Sequence, residues 1–153
     1  MVDTEIILAK ASACRKHLRR IEQKSDTGIT QFLNNPDHQD VVRFNMQMAI
    51  QNCSDIAAHI ISDQGLGVAG SNNEMFYILE ENHIITREIA ETMVKAIGFR
   101  NLIAHEYARL DLEKVFHIAK KDIQEIQQFI KAILSAYRIA EPRGSGRRGS
   151  DFE

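Results

Sequence analysis

Apolar residues recur three and four positions apart along most of the chain, the signature of helices that bury one face. From Thr4 to Lys24, Ile7, Ala11, Cys14, Leu18 and Ile21 form one stripe, and Lys10, Arg15, Lys16, Arg19 and Arg20 lie off it. The spacing predicts a first helix capped by Thr4 or Asp3. Ser25 to Asn35 reads as a loop with one short turn, ended by Pro36. Proline followed by aspartate is a helix start, so a second helix is predicted over Asp37–Asp63, with Val41, Phe44, Met48, Cys53, Ile56 and Ile60 inward. The glycine-rich stretch Gly65–Gly70 stops it, and a short helix over Asn73–Glu81 buries Met75, Phe76 and Leu79. Thr86 caps a fourth helix that runs toward Ala104 on Ile89, Met93, Ala96 and Ile97. Arg109-Leu110-Asp111 opens a fifth, reaching Tyr137, with Leu112, Val115, Ile118, Ile123, Ile126, Phe129, Ile130 and Ile133 available to the core.

Two prolines and few glycines leave long periodic stretches uninterrupted. The fold class this implies is all-α, an antiparallel helical bundle of four to five helices joined by short connections. A chain of 153 residues suits one core, with residues 1–137 as the helical domain. Residues 138–153, rich in glycine, serine and arginine, carry no periodicity and read as a disordered or artificial tail. A net charge of -2 gives no whole-protein field for a polyanion, so any nucleic-acid site must be a local basic patch. No apolar run nears membrane-spanning length and the N-terminus lacks a signal-peptide pattern, so a cytoplasmic protein is expected. Cys14 and Cys53 lack metal or redox spacing and read as buried free thiols. The glycine stretch has no preceding strand and no following Lys-Ser/Thr, so it is not a phosphate loop.

The segment with chemical content is Arg100-Asn101-Leu102-Ile103-Ala104-His105-Glu106-Tyr107. On an unbroken helix Arg100 and His105 stand about 140° apart, whereas Asn101 and His105 share a face. For both Arg100 and His105 to address one phosphate, the helix must end or bend near His105, or a second copy must complete the site. A break between Ala104 and Arg109 fits the next start signal. Cleavage of RNA without a metal needs a base for the 2′-hydroxyl, an acid for the departing 5′-oxygen and a cation for the phosphoryl oxygens. Histidine serves the first two roles and the arginine fork the third. Spacing alone equally describes a solvated arginine and a histidine capping the last carbonyls of a helix.

The string RNLIAHEY resembles the Arg-x4-His-x-Tyr motif of HepT toxins within the HEPN family. The resemblance extends over Asp55-Ile56-Ala57-Ala58-His59-Ile60-Ile61, the glycine-rich loop, Glu74-Met75-Phe76, Leu79 and Ile84-Ile85, and so covers about Val41 to Phe129. It implies an HEPN-like bundle and a metal-independent endoribonuclease toxin of a type VII-like toxin–antitoxin pair. That enzyme would act on transfer or messenger RNA and leave a 2′,3′-cyclic phosphate. Arg100 and His105 would be the catalytic pair, with Asn101 supporting by hydrogen bonding. Tyr107 would be the residue that an MntA-type nucleotidyltransferase antitoxin modifies with AMP. The resemblance also implies a homodimer with a composite cleft, and no cofactor or metal. The alternative is a non-catalytic helical subunit that binds a nucleotide or a partner beside a nucleotidyltransferase.

Other residues read more simply. His17, His38, His59, His83 and His117 show no metal-ligand spacing. Asp55 and His59, four apart, either hydrogen-bond each other or line the cleft in support of the site. Arg15, Lys16, Arg19 and Arg20 form a basic cluster that either holds phosphates or is a solvated face; Arg43 and Lys95 are similar. Arg143, Arg147 and Arg148 of the tail are either solvated or touch RNA. Glu106 carries no assigned catalytic role.

Overall fold

The computed structural model of the chain describes residues 2–106 and 111–141, which form six helices and no strand. These are α1 (Thr4–Ser25), α2 (Ile29–Asn34), α3 (Pro36–Gln64), α4 (Asn72–Glu81), α5 (Arg87–Glu106) and α6 (Leu112–Ala136). The all-α expectation holds, with six helices in place of four to five. The extra one is α2, in the stretch expected to be a loop with one short turn. Its Phe32 is fully buried and packs on Phe116 of α6, ring centroids 5.4 Å apart. A single aromatic anchor gives too little periodicity to be read from sequence.

Side-chain caps explain most of the boundaries. Asp3 accepts from the N–H groups of Glu5 and Ile6, Asn35 from those of Asp37 and His38, and Asp111 from those of Glu113 and Lys114. Thr86 Oγ1 accepts from Ile89 N–H at 3.2 Å. Ser71 Oγ accepts from Glu74 N–H at the start of α4, and the Glu74 carboxylate in turn accepts from Gly70 N–H just ahead of the cap. Each satisfies donors that the first helical turn leaves without partners. At the other end of α3, Gly65 adopts φ 62°, the left-handed conformation that lets Leu66 N–H reach Ile61 O.

The core centres on α1 against α3. Ile7, Ala11, Cys14, Leu18 and Ile21 are buried as the pattern required. Lys10 meets Asp55, Cys14 meets Cys53 and His17 meets Asn45, so the two helices run antiparallel. The thiols of Cys14 and Cys53 are free and their sulfurs lie 3.8 Å apart. Burial, then the hydrogen bond with Cys14, pushes the Cys53 thiol well up. Phe76 and Phe129 stack edge-on at 5.5 Å to close the α4–α6 side.

The inward face of α3 departs from the expected one. Val42, Met46, Ala49, Ile50, Cys53, Ile56, Ala57 and Ile60 are buried, whereas Phe44 is 57% exposed and Val41 and Met48 are half-buried. With apolar residues on more than one face, the composition of α3 admits two stripes, and contact with α1 and α5 selects one. Ile118 of α6 is likewise exposed, while Phe116 and Ala119 turn inward. The expected tail boundary at 138 falls within attached chain: Ile139 packs on the core and Glu141 pairs with Arg15. Arg143, Arg147 and Arg148 lie outside the described residues. Among the described residues no helix is long and apolar enough to cross a membrane.

Asp122 of α6 is only 6% exposed, and its Oδ2 has no hydrogen-bond partner among the described residues. Burial, then the nearby Glu125 charge, raises its carboxyl to about 7. The folded state therefore binds this proton more tightly than the unfolded chain does. The stability it gives is fully present below the ordinary carboxylate pKa and is lost as pH rises through about 7. Asp122→Asn should flatten this dependence. We expect the variant to be more stable than the parent at pH 8 by roughly 1–3 kcal/mol, with the gap closing toward pH 5, as read by urea unfolding at several pH values.

Candidate functional site

The RNLIAHE segment forms the last two turns of α5. Ile97, Phe99 and Ile103 are buried beneath it. That anchoring leaves Arg100 half-buried at the edge of the core and Asn101 and His105 exposed. The helix ends at Glu106, within the stretch between Ala104 and Arg109 where a break was expected, but it runs unbroken from Arg100 through His105. Residues 107–110, Tyr107 among them, lie outside the described residues. Arg100 and His105 thus project about 140° apart from one rigid segment.

Arg100 is held in two directions. Its Nη1 donates to Gln51 Oε1 of α3 at 2.6 Å and its Nη2 to Asn101 Oδ1 at 3.1 Å. The second contact draws the guanidinium around the helix toward the face that Asn101 shares with His105. Its Nε is buried without a partner among the described residues. Gln51 Nε2 donates to Asp55 Oδ1 at 3.0 Å, and Asp55 Oδ2 pairs with Lys10 Nζ of α1 at 3.3 Å. Three helices are thereby joined through one polar chain, Lys10–Asp55–Gln51–Arg100–Asn101. The orientation of the Gln51 amide is fixed, because arginine only donates and a carboxylate only accepts.

The structure brings Arg100 and Asn101 into direct contact and links Asp55 to Arg100 through Gln51. It does not join Asp55 to His59. His59 Nε2 instead lies 3.3 Å from Asp63 Oδ2, at ion-pair distance but without hydrogen-bond alignment. Gln51 and Lys10 escaped the sequence reading as site residues. The available signal was the Gln51–Asp55 pair, four apart on one helix face, but its contact with Arg100 spans 49 positions. Of the basic cluster, Arg15 is tied to Glu141 and Arg43 also makes a contact, whereas Lys16, Arg19 and Arg20 are exposed. No group of three His, Cys, Asp or Glu side chains suited to a metal ion occurs among the described residues.

Comparison with known proteins identifies the family. The family description for ribonuclease HepT-like proteins matches residues 14–133, and the chain belongs to that family. It is 33% identical over 129 residues to the mRNA nuclease HepT of Shewanella oneidensis, covering 84% of this chain and 96% of that protein. A tRNA nuclease HepT of Aphanizomenon flos-aquae is 25% identical over 134 residues, covering 88% and 91%. Among solved structures, the tri-AMPylated Shewanella oneidensis HEPN toxin in complex with MNT antitoxin superposes with a TM-score of 0.80 at 33% identity, covering 88% of this chain and 99% of that one.

The polar chain is partly solvated, so its contribution to folding is small. Gln51→Ala should lower the unfolding free energy by about 0.5–1.5 kcal/mol, measured by urea denaturation. A larger loss would mean that Gln51 supports the fold and not only the placement of Arg100.

Proposed function

We propose that the chain is a metal-independent endoribonuclease toxin of a type VII-like toxin–antitoxin pair, acting on messenger or transfer RNA. The observation that supports this most is Arg100, locked by Gln51 and Asn101 at the helix surface, on the same two turns as the exposed His105. In this reading the 2′-oxygen of the substrate attacks its own 3′-phosphorus while His105 takes the 2′-proton. The bond from phosphorus to O2′ forms, the bond to O5′ breaks, and O5′ leaves with a proton donated by the protonated His105 of the second copy. A 2′,3′-cyclic phosphate and a 5′-hydroxyl remain. Arg100 stabilises the charge that builds on the non-bridging oxygens, and Asn101 and Asp55, with Gln51, hold it in place.

One motif histidine per chain is a sparse set for an acid and a base. The divergence of Arg100 and His105 on one rigid helix supports a homodimer whose two motifs face a composite cleft, each copy supplying what the other lacks. Tyr107 follows His105 by two positions and is the residue we assign to AMPylation by an MntA-type nucleotidyltransferase antitoxin. An adenylylated Tyr107 would bring a phosphodiester and a base beside Arg100 and His105, imitating bound RNA and occupying its place.

Purified dimer incubated with total RNA in EDTA should cleave it, and His105→Ala and Arg100→Ala should each slow cleavage by at least ~100-fold. Loss of cleavage by the parent protein in chelator, or equal rates for the variants, would reject the assignment. Incubation with the antitoxin and ATP should add AMP to the intact mass, and Tyr107→Phe should abolish the addition. An unchanged mass for the parent protein would remove the regulatory part.

A further inference from the structure

The outer seam between α1 and α3 holds a cleft of about 550 Å³ whose lining includes Lys16, His17, Arg20, Asp40, Phe44 and Asn45. Its volume lies within the range of small-ligand sites. Three features set it apart from an ordinary helix–helix groove.

The first is Phe44, which presents most of a large aromatic face to solvent in the middle of a well-formed helix. Nothing in the core requires it there. An exposed ring of this kind is what a stacked nucleobase uses. The second is charge. Lys16 and Arg20 line the cleft and are exposed, and among the described residues neither has an acidic side chain within ion-pair distance. Among the described residues Asp40 is the one carboxylate lining the cleft, and the net balance there favours an anion.

The third is a fixed polar group. Asn45 Nδ2 donates to Val41 O at 2.8 Å, so its Oδ1 must accept from His17 Nδ1 at 2.7 Å. In the neutral ring that leaves His17 Nε2 as an acceptor. The same ring stands edge-on to Phe44 at 6.2 Å. Aromatic face, hydrogen-bonding edge and rim cations together have the chemistry of a nucleotide subsite. Asp40 adds an acceptor suited to the N–H groups on a base edge.

Position ties the cleft to the candidate site. Phe44 and Gln51 lie two turns apart on one face of α3, about 10 Å along the axis, and Gln51 grips Arg100. That distance is about three steps of a stacked strand at 3.4 Å each. We propose that the α1–α3 cleft is a binding subsite for single-stranded RNA flanking the scissile phosphate. One base stacks on Phe44, and Lys16 and Arg20 neutralise the adjoining backbone. This rests on the ribonuclease reading above.

The test uses the full chain carrying His105→Ala, so that RNA is bound without being cut, and a fluorescent 20-nucleotide single-stranded RNA of mixed sequence. Phe44→Ala should weaken binding roughly tenfold, and Phe44→Trp should restore it. Lys16→Ala with Arg20→Ala should weaken binding and reduce the salt dependence of log K by about 1–1.5, whereas Lys131→Ala on α6 should not. In the background with His105 intact, Phe44→Ala should raise KM for the same RNA more than it lowers kcat. Unchanged binding and KM in a parent enzyme that cleaves RNA would overturn the subsite alone; no cleavage by the parent enzyme would instead remove the reading on which it rests. Weakened dimerisation by light scattering, or weakened antitoxin binding, with RNA affinity unaltered would likewise overturn it and assign the cleft to a protein partner.

Discussion

The antiparallel packing of α1 on α3 is the contact on which the rest of the molecule depends. Five apolar residues of α1 leave water completely or nearly so against the inner face of α3, each burial worth up to about 1.5–3 kcal/mol for the larger side chains. Packing that tight fixes rotation as well as distance. Once Met46, Ile50, Cys53 and Ala57 face inward, the positions of Phe44, Gln51 and Asp55 on the outer side are no longer free. A core interaction therefore determines which polar groups meet Arg100 and which aromatic faces solvent.

The second constraint is the anchoring of α5. Phe99 and Ile103 hold its last turns against the bundle, so Arg100 can reach α3 only at its own level. It meets Gln51 there, and through Gln51 the Asp55–Lys10 pair. That pair is exposed enough to contribute little to folding. Its consequence lies in position: a long flexible arginine is confined to one arrangement by Gln51 of α3, itself held by that pair, and by Asn101 of its own helix.

Much of this was legible in the sequence because helices announce themselves locally. Asp3 and Thr86 cap as expected, the last helix begins at the expected Arg109-Leu110-Asp111 signal, and the stripes of α1 and α4 are buried as read. Legibility failed where tertiary contact arbitrates. The hydrophobic residues of α3 permit two inward faces, and Phe44 falls outside the one chosen. Phe32 anchors a helix too short for periodicity to register. The motif from Arg100 to His105 was visible as a string and as a family resemblance. Its angular divergence followed from helical geometry, but the persistence of the helix through His105 had to be seen. Gln51 was illegible because a glutamine on a helix face has no signature until its partner, 49 residues away, is known.

Gln51 also has a meaning for charge. Had Asp55 itself gripped Arg100, a carboxylate would have compensated the guanidinium, and any incoming anion would have had to compete with a resident one. An interposed amide fixes direction without carrying charge, and it has no proton to exchange with either neighbour at ordinary pH. The negative charge of Asp55 is settled instead on Lys10, on the far side of the relay. Arg100 is thereby aimed while its electrostatic field stays unspent, an insulated bracket in place of a counter-ion.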